Sequence, residues 1–230
     1  MSRPTARSRG LLALIAGAGL VLLAPAGPAP RPDVAVAAAA ALPTVEQLVA
    51  RIDTQQKDLR SLRGEFVQHT RVKLFRQQIS SEGRMLYVRG TPSKLRWEYL
   101  RPDASTLTMI GDVATLRMGT RAPQVFDTAK DPTLRAVFTQ LRLWLGQGAL
   151  AEAQGEYTMS TAGTPDRPAL VLAPKPSSVL AKTFSRIELH VDGRTALLAR
   201  LLLVEQSGDE KEIVFSKIQR NVDIAPSQFE

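Results

Sequence analysis

The residues that could do chemistry in this chain are few and badly placed for it. Only two histidines occur, His69 and His190, and there is no cysteine. The histidines sit in separate stretches of alternating sequence, without a second ligand at metal-binding spacing, and each reads as a sheet-face histidine. Without thiols there are no disulfides, thiolate metal sites, cysteine nucleophiles or cysteine-linked lipid anchors. Ser178 and Lys182 are four positions apart, whereas a Ser–Lys nucleophile pair needs three. The string Gly146-Gln147-Gly148-Ala149-Leu150-Ala151 fits G-x-G-x-x-A, but it follows a helical pattern where a dinucleotide loop follows a strand. It reads as a helix stop. Asp209, Glu210 and Glu212 belong to a charged turn. No catalytic group, metal site or cofactor is expected, and the chain does not read as an enzyme.

Basic groups cluster at Arg84, Arg89, Lys94, Arg96 and Arg101, close to Trp97 and Tyr99. A single-strand nucleic-acid platform needs cations and aromatic faces on the same surface. Here the alternation puts Lys94 and Arg96 on the face opposite Trp97 and Tyr99, so no nucleic-acid partner is expected. The charge agrees. Thirty Lys+Arg against 22 Asp+Glu give +8 over 230 residues, of which +3 belongs to the first 41 positions. The remaining +5 is mild for a nucleic-acid binder.

Those first 41 residues differ in kind from the rest. They hold 13 alanines and no aromatic residue. Arg3, Arg7 and Arg9 precede a small and apolar run from Leu11 to Ala24, then come Pro25, Pro28, Pro30 and Pro32 and an alanine-rich stretch. A basic start, a short apolar run and A-x-A sites at 35–37 and 38–40 describe a secretory signal peptide. The run is shorter than the ~20 residues that span a bilayer. Residues 1–41 are therefore expected to be removed, with cleavage somewhere in about 35–43, leaving 42–230 as one exported domain.

A long apolar stripe opens that domain. Val45, Leu48, Val49, Ile52, Leu59 and Leu62 predict a helix over Thr44–Leu62, with Thr44 and Gln47 as a capping box and Gly64 as the stop. The stripe is interrupted at Gln55 and Gln56. After Gly64 the period changes to two. Strands are predicted at 65–70, 85–88, around Leu95, Trp97 and Tyr99, and at 106–110, 114–118 and 124–127. Gly111-Asp112 fits a hairpin turn. A second helix is predicted from Asp131 and Pro132, with Leu134, Val137, Phe138, Leu141, Trp144 and Leu145 on one face and a further turn at 149–153. Strands resume at 157–160, 169–172, 184–191, 196–204 and 212–218, with Asp192-Gly193 as a hairpin signal. The 196–203 stretch is apolar on both faces apart from Arg200, which predicts cover on both sides. One antiparallel sheet, wrapped or closed, with a helix before it and a helix inserted mid-way, is the expected architecture.

Several strand residues carry a family resemblance. Phe66-Val67-Gln68 follows the first helix, and Gly83 opens a strand. Pro92-Ser93-Lys94-Leu95-Arg96-Trp97-Glu98-Tyr99 and Pro102 come next. Leu170-Val171-Leu172-Ala173-Pro174-Lys175, Asp192-Gly193, Val204-Glu205-Gln206 and Phe229 follow in order. Over residues 44–230 the chain resembles the LolA-like family of periplasmic outer-membrane lipoprotein carriers. The resemblance implies a mainly β fold with helices: an incomplete antiparallel β-barrel enclosing an apolar cavity, lidded by helices. It implies a monomer that carries acylated lipoproteins, or other lipids, from an inner-membrane lipoprotein-releasing transporter to an outer-membrane acceptor. Acyl burial is worth ~0.8 kcal/mol per CH₂, so an apolar cavity is a sufficient working part.

On that resemblance the expected lipid-binding cavity is lined by Ile52, Leu95, Trp97, Tyr99, Val137, Phe138, Leu141 and Trp144. The best-known carriers place an arginine directly before the motif's proline, where it helps hold the lid closed. Thr91 stands there in this chain, and Arg89 is the nearest candidate latch. Two other functions fit the same residues: a carrier of another lipid or lipid-linked product for an inner-membrane exporter, and a lipid or peptide sensor that transports nothing.

Overall fold

Among the described residues, eleven strands follow the opening helix and form a single antiparallel sheet, in the order β6-β5-β4-β3-β2-β1-β11-β10-β9-β8-β7. The strands are β1 (Ser61–Val72), β2 (Gln77–Val88), β3 (Lys94–Arg101), β4 (Ser105–Ile110), β5 (Val113–Met118) and β6 (Gln124–Asp127). The second half holds β7 (Tyr157–Thr164), β8 (Arg167–Pro174), β9 (Phe184–Val191), β10 (Leu198–Glu205) and β11 (Glu210–Arg220). The structure is a computed structural model that describes residues 41–75, 77–130, 135 and 150–230. The proposed signal peptide, Val137, Phe138, Leu141 and Trp144 lie outside the described residues. Of the expected inserted helix only Arg135 is described, and it is helical.

The sheet is an open barrel, with β6 and β7 as edges. Its two halves are meanders, β1–β6 and β7–β11, and the first strand pairs with the last: Phe66 lies opposite Phe215, and Gln68 opposite Ile213. Alternation decides the faces. Leu95, Trp97 and Tyr99 turn inward while Lys94, Arg96 and Glu98 stay at the outer surface. One core cluster runs along the inner face from Phe126 on one edge strand to Tyr157 on the other, and takes in Leu48, Val49 and Ile52 of the helix.

That helix, α1, spans Val45–Gln56 and carries the expected capping box: the Thr44 hydroxyl accepts from Gln47 N–H while the Gln47 amide oxygen accepts from Thr44 N–H. It ends six residues before the predicted limit of Leu62. Leu59 lies in the connection, and Leu62 and Gly64 are strand residues; all but Gly64 are hydrophobic members of the core cluster. Leu62 thus satisfies a helical and an inward-facing strand position alike, and the strand wins because β1 pairs along its whole length with β2. A 3-10 turn at Leu150–Gly155 stands where a helical turn is expected.

Two other expectations need correcting. Asp192-Gly193 does not make a two-residue hairpin. Asp192 Oδ1 accepts from the backbone N–H groups of Arg194 and Thr195, and Ala196 takes a φ of 51°, so the connection runs to Leu197 before β10 begins. On β10, Leu202 does face outward and is buried as expected. Its cover is the charged pairs Arg200–Glu212 and Arg186–Glu188 on the flanking strands, since no second layer lies over it among the described residues.

Candidate functional site

Phe66 packs between Trp97 and Tyr99 on the inner face. Its ring stacks on Trp97 at a centroid distance of 4.3 Å and meets Tyr99 edge-on at 5.3 Å. Gly83 makes the arrangement fit. It lies opposite Phe66 on β1 and Tyr99 on β3, and a methyl group there would overlap the Phe66 ring and the Glu98 carbonyl. Glycine inside a strand costs stability, and here it admits an aromatic ring onto the bare backbone. Beyond the rings the inner face turns polar. Tyr99 donates its hydroxyl to Gln68 Oε1 at 2.8 Å, and Gln68 Nε2 donates to Thr70 at 3.2 Å. Burial pushes the Tyr99 phenol up to about 12.

The apolar end of the inner face lies under α1. A cavity of about 40 Å³ is walled by Ile52, Leu59, Leu62 and Met85 on one side and by Leu189, Val191, Leu198 and Phe215 on the other. Gln55, Gln56 and Arg220 add polar groups to the lining. The volume admits a few water molecules and is far too small for an acyl chain.

Three arginines tie α1 across this cavity. Arg89 Nη2 donates to the carbonyl of Gln56 at 2.9 Å and Arg89 Nη1 to that of Lys57 at 3.1 Å. Arg220 donates to the Gln55 carbonyl and, at 3.3 Å, to its side-chain oxygen. Arg51, on the helix itself, donates to the carbonyl of Gly193. The last carbonyls of a helix have no partners within it, and their negative dipole end favours cations. The last turn of α1 carries no basic residue, so the sheet supplies the cations. Asp53 adds a fourth tie by accepting from Leu150 N–H at 2.9 Å.

Ile52 therefore lines the cavity. Leu95, Trp97 and Tyr99 belong to the same core cluster but are not part of the cavity wall; Trp97 and Tyr99 pack on Phe66. Arg89 reaches α1. Arg220, Arg51 and Asp53 carry no periodic or motif signal; Arg220 emerges only once β11 is laid against β1, and Arg51 and Asp53 only once α1 is set against Gly193 and Leu150. Gln55 and Gln56 did leave a trace, as the break in the helical stripe.

The polar groups weighed for chemistry sit elsewhere. His69 Nδ1 is 2.9 Å from Ser80 Oγ, and His190 Nε2 is 2.8 Å from Glu188, both on the outer face. Ser178 caps a 3-10 turn. On the same face Glu98 lies between Arg84 and Arg96; burial opposes its ionisation, and the two guanidiniums outweigh that and hold its carboxyl below the usual range.

Residues 57–230, from the connection after α1 through β11, match the family model described as outer membrane lipoprotein carrier protein LolA. The chain belongs to the LolA family. An outer-membrane lipoprotein carrier protein of Chromobacterium violaceum is 28% identical over 197 residues, covering 85% of this chain and 88% of that one. The solved LolA superfamily protein NE2245 of Nitrosomonas europaea is similar at TM-score 0.44 and 13% identity, over 81% of this chain and 97% of that one. The lipoprotein LppX of Mycobacterium tuberculosis gives TM-score 0.46 and 15% identity, over 79% and 100%. MucB gives TM-score 0.48 and 18% identity, but the match spans 62% of its chain, so this LolA-family chain is well short of its length. The LolA family is a family of carriers by name.

Proposed function

We propose that this LolA-family chain is a periplasmic carrier that takes up the acyl chains of lipoproteins beneath α1 and ferries them from the inner to the outer membrane. The observation that carries the reading is the apolar cavity under a helix held by its terminal carbonyls. Hydrogen bonds from Arg89 and Arg220 can break and re-form without disturbing the sheet, so α1 can lift from Leu62, Met85, Leu198 and Phe215 and uncover an apolar floor. Ile52 would move with it. Leu95, Trp97, Tyr99, Val137, Phe138, Leu141 and Trp144 are proposed as the deeper lining that an acyl chain meets after entry. Arg89 is proposed as the latch, with Arg220 beside it. No bond in the cargo is made or broken in this scheme. The transporter that loads the carrier and the acceptor that unloads it are partners of the same proposal.

Mass spectrometry of organic extracts from protein purified out of the periplasm tests it. Acylated peptides are expected. Free lipid without peptide would support instead a carrier of another lipid, and a protein that neither retains nor binds acyl compounds would end the carrier reading.

A further inference from the structure

The connection between β1 and β2 exposes two large apolar side chains side by side: Leu74 is 82% exposed and Phe75 65%. They are adjacent, at the tip of a hairpin whose β2 edge stands clear of β3 there. Strand β3 pairs with β2 only as far as Glu82, so Gln77 to Ser81 have no β3 partner, and β11 begins opposite Arg71. Burying little, Leu74 and Phe75 contribute little to the folded state that Ser or Thr would not, yet they cost solubility. The backbone beneath them is held firmly: Asp209 Oδ1 accepts from Lys73 N–H at 2.9 Å, and Arg71 pairs with Glu210 at 2.6 Å. The exposed pair is therefore presented on a braced tip.

We propose that this tip is a membrane-docking element that inserts Leu74 and Phe75 into the interfacial region of a phospholipid bilayer. Shape selects the occupant. The tip is convex, so a protein partner would need a matching pocket, whereas a bilayer interface yields to any small apolar wedge. Charge is consistent with it. Arg71 is neutralised by Glu210, and Asp209 faces the backbone of Lys73, but the Lys73 ammonium has no ion pair among the described residues and can meet lipid phosphate from beside the wedge. Two apolar side chains give brief, reversible binding, which suits a molecule that must also leave. The inference does not depend on what the cavity carries.

The absence of cysteine makes a local test direct. Leu74→Cys is labelled with an environment-sensitive fluorophore and titrated with vesicles of phosphatidylethanolamine and phosphatidylglycerol. Arg194→Cys, at the opposite end of the sheet, is labelled as the control. A blue shift at position 74 and none at 194 is the expected result. Adding Phe75→Ser to the labelled Leu74→Cys chain should weaken the partition by about tenfold or more, through the apolar area lost from the interface. Acyl-probe binding by an unlabelled Phe75→Ser chain should match the parent, so docking and cargo binding fail separately. An unchanged fluorophore at 74, an equal response at 194, or a partition indifferent to Phe75→Ser would each overturn the proposal.

Discussion

Replacing Arg89 by alanine would leave the carbonyls of Gln56 and Lys57 without their guanidinium donor. Hydrogen bonds to charged groups are worth about 1.5–3 kcal/mol net, so Arg89→Ala should lower stability in urea by about 1–3 kcal/mol. If Arg89 is a latch, acyl-probe association should also become faster, and Arg220→Ala should act in the same direction. A stability loss with unchanged association kinetics would make both residues structural ties only. Tyr99 offers a separate check. Its folded value near 12 lies above the ~10 of an unfolded tyrosine. The stability it contributes is therefore complete below pH about 10 and drains away as pH rises toward about 12. Tyr99→Phe should flatten that part of the alkaline unfolding profile while leaving neutral pH behaviour close to the parent's. At this scale the sequence was a partial guide. Ile52 and Arg89 could be named in advance, because one sat on an apolar stripe and the other beside a recognisable motif. Arg220 could not, because its partner Gln55 is 165 positions away and meets it only through the pairing of β1 with β11.

Among the elements, β3 depends most on a neighbour's lack of a side chain. Gly83→Ala on β2 would drive a methyl group into the Phe66 ring and the Glu98 carbonyl. Backbone cannot yield as a flexible side chain does, so a loss of about 2–3 kcal/mol or more is expected by thermal or urea unfolding, with Trp97 fluorescence shifted as the ring stack is displaced. The strands were legible because one face is buried and the other wet: β6 and β9 occupy the predicted residues, and β1, β2 and β7 are longer than predicted only at polar or mixed ends. The C-terminus of α1 was not legible. Leu59 and Leu62 continue the helical spacing, and the residues that stop the helix by taking its carbonyls come from β11 and from the turn before β3. The Asp192 turn failed for a similar reason, since its carboxylate organises a longer loop than the dipeptide alone suggests.

At the scale of the whole molecule, a cavity of about 40 Å³ and the proposed cargo of acyl chains would together require two states. Loading should therefore expose more than the binding site itself. Amide hydrogen exchange in α1 is expected to quicken when an acyl probe binds, while β1, β2 and β11 stay protected; protection of α1 that is unchanged or increased would place entry somewhere other than beneath it. The N-terminal segment belongs to this scale too. Intact-mass measurement of the exported chain should place its first residue in about 35–43, and recovery of the uncut chain from the membrane fraction would show an anchor instead.

The seam between β1 and β11 has a consequence for how the protein is made. A ribosome delivers β1 near the start of the domain and β11 at its end, yet the two lie side by side at the middle of the sheet. Each meander can form on its own as it emerges. Until the final strand arrives, however, β1 and β10 both present unpaired backbone where the finished protein has none. The nascent chain thus cannot finish its sheet early, and such distant pairing is slow to form. Translocation machinery that needs an unfolded substrate would find one for as long as synthesis lasts. A chain truncated before Glu210 should be degraded or captured by chaperones, its two half-sheets each carrying a sticky edge in place of the seam.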